Sequence, residues 1–464
     1  MKLPIRSAGD SLDYLPEGSP DDLSDFFTDS VACLSRLNQI YGPHVAFSKG
    51  SQRILFASSP ASNHLVFQNP EVFHGVGFYA GPKNSSQRRL GNGLFNLNGT
   101  RHKQHRRLLL PLFQKGMIDS YGGFLTELTD QLLAGWQFGR QYDLLAEMKK
   151  LALRITTRIL FGLEDGELAS SIDALFEQWL ELNHHVAFQA LLPVESSDDS
   201  YRRMLHNAEE MEMLIGKLVR RPRNALLADD VLALLLRARA AGTLSDVDVV
   251  GEVTHLFNAA YHTTTYALTW TLFLLAQHPD VMNAMYDERT LDRSDPAPLL
   301  DRCIKESLRV LPPVVYFARI TVEPIAFGSN QLPSGTLVVG SQYVTHHLPE
   351  LYPEPERFLP DRWLTTNPGP HGYIPYLGGA RMCIGAPFAQ AVFQTCLPRI
   401  LRRFRLAVVP GARIDRKCSL TLGPTPGIPV TVHRPDGRYS SSPVVGAIHE
   451  MVTLPSVRAL PAAA

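Results

Sequence analysis

The 464-residue chain has little cysteine, no excess of either charge, and no apolar run near its start. Its five cysteines, at 33, 303, 383, 396 and 418, form no Cys-x-x-Cys motif and no paired framework. That excludes a disulfide-stapled scaffold and fits a reducing compartment. Lysine plus arginine and aspartate plus glutamate both number 45, so no electrostatic case exists for nucleic acid or a strongly charged partner. The opening residues, Met1 to Gly18, are polar and proline-bearing. They offer neither a signal peptide nor a membrane anchor, and the expectation is a soluble, cytoplasmic protein with no membrane contact. Length alone would allow about three domains. No Gly/Ser linker, repeat or charge block divides the chain. We therefore expect one domain over 1–436 and a tail, 437–464, with no assigned role. A hydrophobic content of 45% suffices for a large core.

Against these absences stands Pro375-Tyr-Leu-Gly-Gly-Ala-Arg-Met-Cys-Ile-Gly-Ala-Pro-Phe-Ala389. A helical apolar run follows it, to Leu401, with Pro398 expected to kink its end. A cysteine in a tight glycine-rich loop at a helix N-terminus meets backbone N–H groups and the positive end of the dipole, and both favour the thiolate. Such a thiolate is a metal ligand or a nucleophile. Gly379 allows the chain to fold back, Gly385 allows backbone to approach the sulfur, and Arg381 supplies a fixed cation suited to a carboxylate. A buried structural cysteine beside a loop would explain neither the glycines nor Arg381.

The stretch resembles the haem-binding loop of the cytochrome P450 family, Phe-x-x-Gly-x-Arg-x-Cys-x-Gly. Gly379, Arg381, Cys383 and Gly385 match it, and Tyr376 stands where phenylalanine is usual. The resemblance implies a mainly α fold with a small β region, haem b as cofactor, and Cys383 as the axial thiolate of its iron. Without an N-terminal anchor the chain looks like a soluble, bacterial-type member.

Other stretches agree in order. Residues 21–41 read as an amphipathic helix, 44–47 and 52–57 as strands, and 60–68 as a helix. Segment 72–98, with nine glycines and asparagines and no helical period, reads as a long functional loop. His102 and Arg106, four apart on one helical face, form either a solvated basic stripe or the family's propionate-binding pair. Residues 117–163 look like two packed helices, and Leu168 to Leu218 like more. The patch Trp179 to Leu192 lines or caps the substrate pocket by resemblance, an ordinary core face being the alternative.

The strongest helical signal runs from Leu244 to about Gln277 and contains Ala259-Ala-Tyr-His-Thr-Thr-Thr265. Threonines inside a buried helix bond back to preceding carbonyls or bend the helix. By resemblance Thr263 is the oxygen-activating threonine and Ala260 holds the place of a glycine. His262 occupies the position of the family's acid and is expected to relay protons in its stead. Glu306 and Arg309 match the family's buried Glu-x-x-Arg pair, with Arg362 as third member and Arg357 as its rival. Arg319 and His346 fall where further propionate contacts are expected. Phe404 to Val432 reads as strands, and the turn Gly423 to Gly427 as reaching towards the pocket.

The implied activity is monooxygenation: hydroxylation or epoxidation of a largely apolar small molecule, in secondary metabolism, by O2 and external electrons. No flavin or nicotinamide domain is recognisable, so a separate ferredoxin and ferredoxin reductase, or an equivalent donor, would supply them. Arg101, Lys103, Arg107, Arg399, Arg402 and Arg403 are candidates for its docking face, or an ordinary solvated surface. The alternatives are a peroxide-using or isomerase-like haem–thiolate enzyme and a non-catalytic haem-binding sensor.

Overall fold

A computed structural model describes residues 12–456 except 27, 50–51, 78–80, 163–165, 190–197, 221–229, 287–297 and 419. The chain begins with α1 (Ser30–Tyr41), β1 (His44–Lys49), β2 (Gln52–Ala57), α2 (Pro60–Gln68) and β3 (Phe73–Gly75). Next come α3 (Ser86–Leu90), α4 (Gly99–Leu109), α5 (Lys115–Ala134), β4 (Gln141–Asp143) and α6 (Leu144–Phe161). Five helices follow: α7 (Gly166–Gln189), α8 (Asp198–Arg220), α9 (Val231–Ala240), α10 (Asp246–Gln277) and α11 (Pro279–Tyr286). Then come α12 (Leu299–Val310), β5 (Phe317–Thr321), β6 (Ile325–Phe327), β7 (Asn330–Leu332), β8 (Leu337–Gly340) and α13 (Gln342–His346). The chain continues with α14 (Ala386–Arg403), β9 (Arg405–Val408), β10 (Ala412–Arg413) and β11 (Asp415–Cys418). It closes with β12 (Leu422–Thr425), β13 (Pro429–His433) and β14 (Val444–Val445).

These elements fall into two compact units. One comprises 1–73, 120–148 and 263–464; the other comprises 74–119 and 149–262.

In the first unit, β2 pairs antiparallel with β1 and parallel with β8, and β8 pairs antiparallel with β5. Leu55, Phe317 and Val338 from this sheet pack with Val66 and Phe67 of α2 and with Ile374. The packing matters for the site, because it fixes Phe67. The helix expected over 21–41 is broken: a 3-10 turn, Pro20–Leu23, is closed by a Ser19–Asp22 capping box, and Asp29 caps α1 separately. The described residues beyond 436, up to 456, are built into this unit. Val444 pairs with Ala412, Arg416 binds both Asp29 (2.6 Å) and Glu450 (2.7 Å), and Thr453 N–H donates to Glu356 C=O.

In the second unit, segment 72–98 is less irregular than its composition suggests. Ser85 caps the short helix α3, whose Arg89 pairs with Glu212 of α8. Gln87 accepts the Trp179 indole N–H and donates to Asn183. Part of the patch expected over Trp179–Leu192 lies outside the described residues; Trp179 itself is fully buried. Ser245 and Asp248 exchange bonds at the start of α10, which from Thr263 belongs to the first unit and ends at Gln277, before His278-Pro279. Along the helix Thr254, Thr269 and Thr271 bond back to the carbonyls four residues before them.

Candidate functional site

The cysteine loop is shaped by three backbone facts. Gly379 adopts φ +64°, and a Cβ there would run into the Phe67 carbonyl oxygen. A Cβ on Gly378 would run into the Phe67 ring. Leu377 adopts φ +59°, a conformation that is costly for a branched residue; Ile374 C=O accepts its N–H and its side chain packs on the sheet core. The chain thus turns sharply against α2, and Cys383 N–H closes the loop onto Tyr376 C=O at 2.9 Å. Gly385, at φ −84°, is the N-cap of α14 and occupies a conformation open to any residue. The helix continues through Pro398.

Cys383 is exposed at the N-terminus of an 18-residue helix, while the other four cysteines are buried. Burial pushes the thiols of Cys396 and Cys418 up to about 12, and those of Cys33 and Cys303 higher still. Cys396 is further occupied by the Thr129 hydroxyl at 3.2 Å. Only Cys383 therefore has the access and the helix-dipole setting that a thiolate needs.

Beside the loop, Arg319 is buried, and its guanidinium donates to Ala318 C=O and lies over the Phe317 ring. Burial first, and the charge of Arg381 second, bring its pKa down to about 9. No carboxylate pairs with it among the described residues. A buried cation near a second cation calls for an anion. The paired carboxylates of a haem satisfy that demand, so the donor set fits the cofactor. The Tyr376 hydroxyl is buried without a hydrogen-bond partner, and burial pushes its pKa up.

His346, expected at a propionate, ends α13. It is fully buried, and its Nε2 accepts the Ile374 N–H at 2.9 Å. Burial and the nearby Arg309 hold its pKa well below 6.5. The ring thereby braces the segment leading to Cys383, and its Nδ1, which carries the proton, is buried with no hydrogen-bond partner.

That segment is held by Glu306, Arg309 and Arg362. Glu306 Oε1 accepts from Arg309 (2.9 Å), Arg362 (2.9 Å) and Leu359 N–H; Oε2 accepts from Arg309 and the Trp363 indole. Arg309 reaches on to the carbonyls of His346, Pro355 and Arg357. Arg357, the rival third member, pairs with Glu354 at the surface. Trp363 and the backbone partners are additions that sequence spacing did not identify.

In the second unit, His102 is buried and Arg106 half-buried, one turn apart on α4. Along α10, whose residues from Thr263 belong to the first unit, Ala259 is exposed and Ala260 and Thr263 are half-buried, although most of this helix is buried. They mark one open face. His262 is not on it: the ring is 2% exposed and lies 4.7 Å from that of Tyr261. In the first unit the turn at Gly423 lies against α10, where a Cβ would meet the Tyr266 ring. Of the proposed docking cations, Arg399 and Arg403 both pair with Asp130, and Arg101 pairs with Asp248.

Comparison with known proteins supplies the family. The cytochrome P450 family model matches residues 28–430. Putative cytochrome P450 135B1 of Mycobacterium tuberculosis is 29% identical over 388 residues, covering 81% of this chain and 80% of its own. Cyclooctatin synthase of Streptomyces melanosporofaciens is 29% identical over 418 residues, covering 84% and 89%. Cyclooctat-9-en-7-ol 5-monooxygenase of the same organism is also 29% identical, covering 81% and 84%. The retinoic-acid-bound cyanobacterial CYP120A1 superposes with a TM-score of 0.74 at 23% identity, over 90% of this chain and 99% of its own. The chain belongs to the cytochrome P450 family: a haem-iron monooxygenase with a mainly α fold and a smaller β region. Among the described residues, no helix is long and apolar enough to cross a membrane.

Proposed function

We propose that this P450 hydroxylates or epoxidises a largely apolar small molecule of secondary metabolism, with Cys383 as the haem-iron ligand. The observation that carries the assignment is the contrast between Cys383, exposed at a helix N-terminus, and four buried cysteines, beside a buried arginine with no carboxylate partner among the described residues. The bound haem supplies oxygen activation and transfer. The chain supplies the rest. Gly378, Gly379 and Leu377 set the loop that presents the Cys383 sulfur, and Gly385 starts the helix whose dipole favours its thiolate. Arg319 and Arg381 neutralise the haem's carboxylates, and the spacing of His102 and Arg106 on α4 suits the same task. Tyr376 packs beneath the loop. Thr263 offers a hydroxyl on the open face of α10, and His262 backs it from within the packed side. The small side chains of Ala259 and Ala260 leave room for substrate.

The two relatives from Streptomyces support a largely hydrocarbon, cyclic substrate, since one is named for acting on cyclooctat-9-en-7-ol. Electrons come from a ferredoxin and its reductase, docking on cations not already paired, such as Lys103, Arg107 and Arg402. The test is product formation from a panel of apolar substrates with NADPH, surrogate ferredoxin and reductase. We expect oxygenated product that depends on all three components. Turnover that needs only peroxide, or none with any substrate that shifts the haem spectrum, would contradict the reading.

A further inference from the structure

A P450 threonine needs a supply of protons, and here no carboxylate precedes it. The second unit contains a candidate source. Glu252, His255, Ala259 and Thr263 are spaced three, four and four residues apart, so they lie along one face of α10. Glu252 is 1% exposed. His105 Nδ1 lies 2.6 Å from its Oε1, while Oε2 is buried with no hydrogen-bond partner. His255 is buried too. Its Nδ1 accepts the Phe95 N–H at 3.2 Å, so the proton of the neutral ring sits on Nε2, which has no partner. On the outer side, His105 Nε2 is 3.8 Å from Asp248 Oδ1, a gap one water can bridge. Asp248 accepts from Asn92, Ser245 and Arg101, so it acts on His105 by its charge alone, and the Arg101 side chain beside it is 54% exposed.

Two buried, unmet polar atoms on neighbouring turns of one helix face are a place for bound water. The face they occupy opens one turn later, at Ala259.

We propose that Asp248, His105, Glu252 and His255 form a proton inlet running along α10 to the open face at Ala259 and Thr263. This rests on the reading of Thr263 as the proton-handling hydroxyl. Each turnover consumes one dioxygen, two electrons and two protons; one oxygen atom enters the substrate and the other leaves as water. A proton passed inward through water from Glu252 is replaced from His105 Nδ1, and His105 recovers one at Nε2 from the solvent side near Asp248. Each transfer leaves the Glu252 proton on Oε1 and His105 as its Nε2–H tautomer, and rotation of the carboxyl and of the ring restores both before the next. A clamp that only pinned the loop 91–97 to α10 would need no unmet atoms: Glu306 shows how fully a buried carboxylate can be satisfied.

Two readouts test the inlet. A high-resolution crystal structure of the haem-loaded protein should show ordered water on Glu252 Oε2 and on His255 Nε2. Glu252→Gln and His105→Gln, in haem-loaded protein driven by dioxygen, NADPH, ferredoxin and reductase, should each lower product per NADPH about ten-fold. With hydrogen peroxide, which carries its own protons, both should match wild type. Dry, protein-satisfied atoms would overturn the inlet. So would unchanged coupling in both variants, or equal loss with both oxidants accompanied by loss of haem. Thr263→Ala, run alongside, separates the layers: if it uncouples while both glutamine variants do not, only the inlet fails. If Thr263→Ala also stays coupled, the reading beneath the inlet fails with it.

Discussion

Glu306 in one unit and Glu252 in the other are both carboxylates withdrawn from solvent, and they are used in opposite ways. Glu306 accepts five hydrogen bonds, from Arg309 twice, Arg362, Trp363 and the Leu359 backbone. Glu252 has His105 on one oxygen, and the other oxygen is left without a hydrogen bond. A saturated buried charge holds one geometry and has nothing further to offer. An unsaturated one costs stability and persists where water, ligand or chemistry completes it. The same contrast separates Cys396, closed in by Thr129, from Cys383, open at a helix N-terminus. It also separates Arg309, fully bonded, from Arg319, which has no carboxylate partner among the described residues.

The comparison can be broken by mutation, beginning with the largest effect. Glu306→Ala leaves two buried guanidiniums uncompensated, at a cost of about 3–5 kcal/mol. We expect little haem-loaded protein, measured by the ratio of haem to protein absorbance; normal loading would mean that the cluster is not a scaffold. Gly379→Ala combines a left-handed backbone with a collision at Phe67, costing about 1–3 kcal/mol and disordering the loop. Thermal melting and haem content should both fall, and an unchanged melt would refute the geometry. His262→Ala should lower product per NADPH about two-fold, since the ring is buried and only backs Thr263. Equal coupling would make His262 a packing residue. Arg357→Ala removes an exposed pair with Glu354 and should change stability by about 0–1 kcal/mol. A loss on the scale of the Glu306 variant would mean that the surface pair had been misjudged.

What was legible in the sequence was local. The cysteine loop, the helix carrying Thr263 and the Glu306–Arg309 pair are each written within a few residues, at spacings that periodicity exposes. The loop's glycines were visible too, although only Gly379 proved to need its conformation; Gly385 did not. The strained Leu377 carries no sequence signal, because the tertiary packing that holds it lies at Phe67. Position alone could not show that the His346 ring accepts the Ile374 backbone N–H. The pairing of His105 with Glu252 spans 147 residues, and nothing in either segment points to the other. The stretch past 436 looked like a tail for the same reason. Its partners, Ala412, Arg416 and Glu356, become its neighbours only in the folded unit.

The central claim is that Cys383, and no other cysteine, binds the iron. The direct measurement is the absorption spectrum of reduced, CO-bound protein for Cys383→Ala and Cys396→Ala beside wild type. We predict the red-shifted Soret band that marks thiolate ligation in wild type and in Cys396→Ala, and its loss in Cys383→Ala. A band that survives in Cys383→Ala, or vanishes with Cys396→Ala while haem stays bound, would contradict the account.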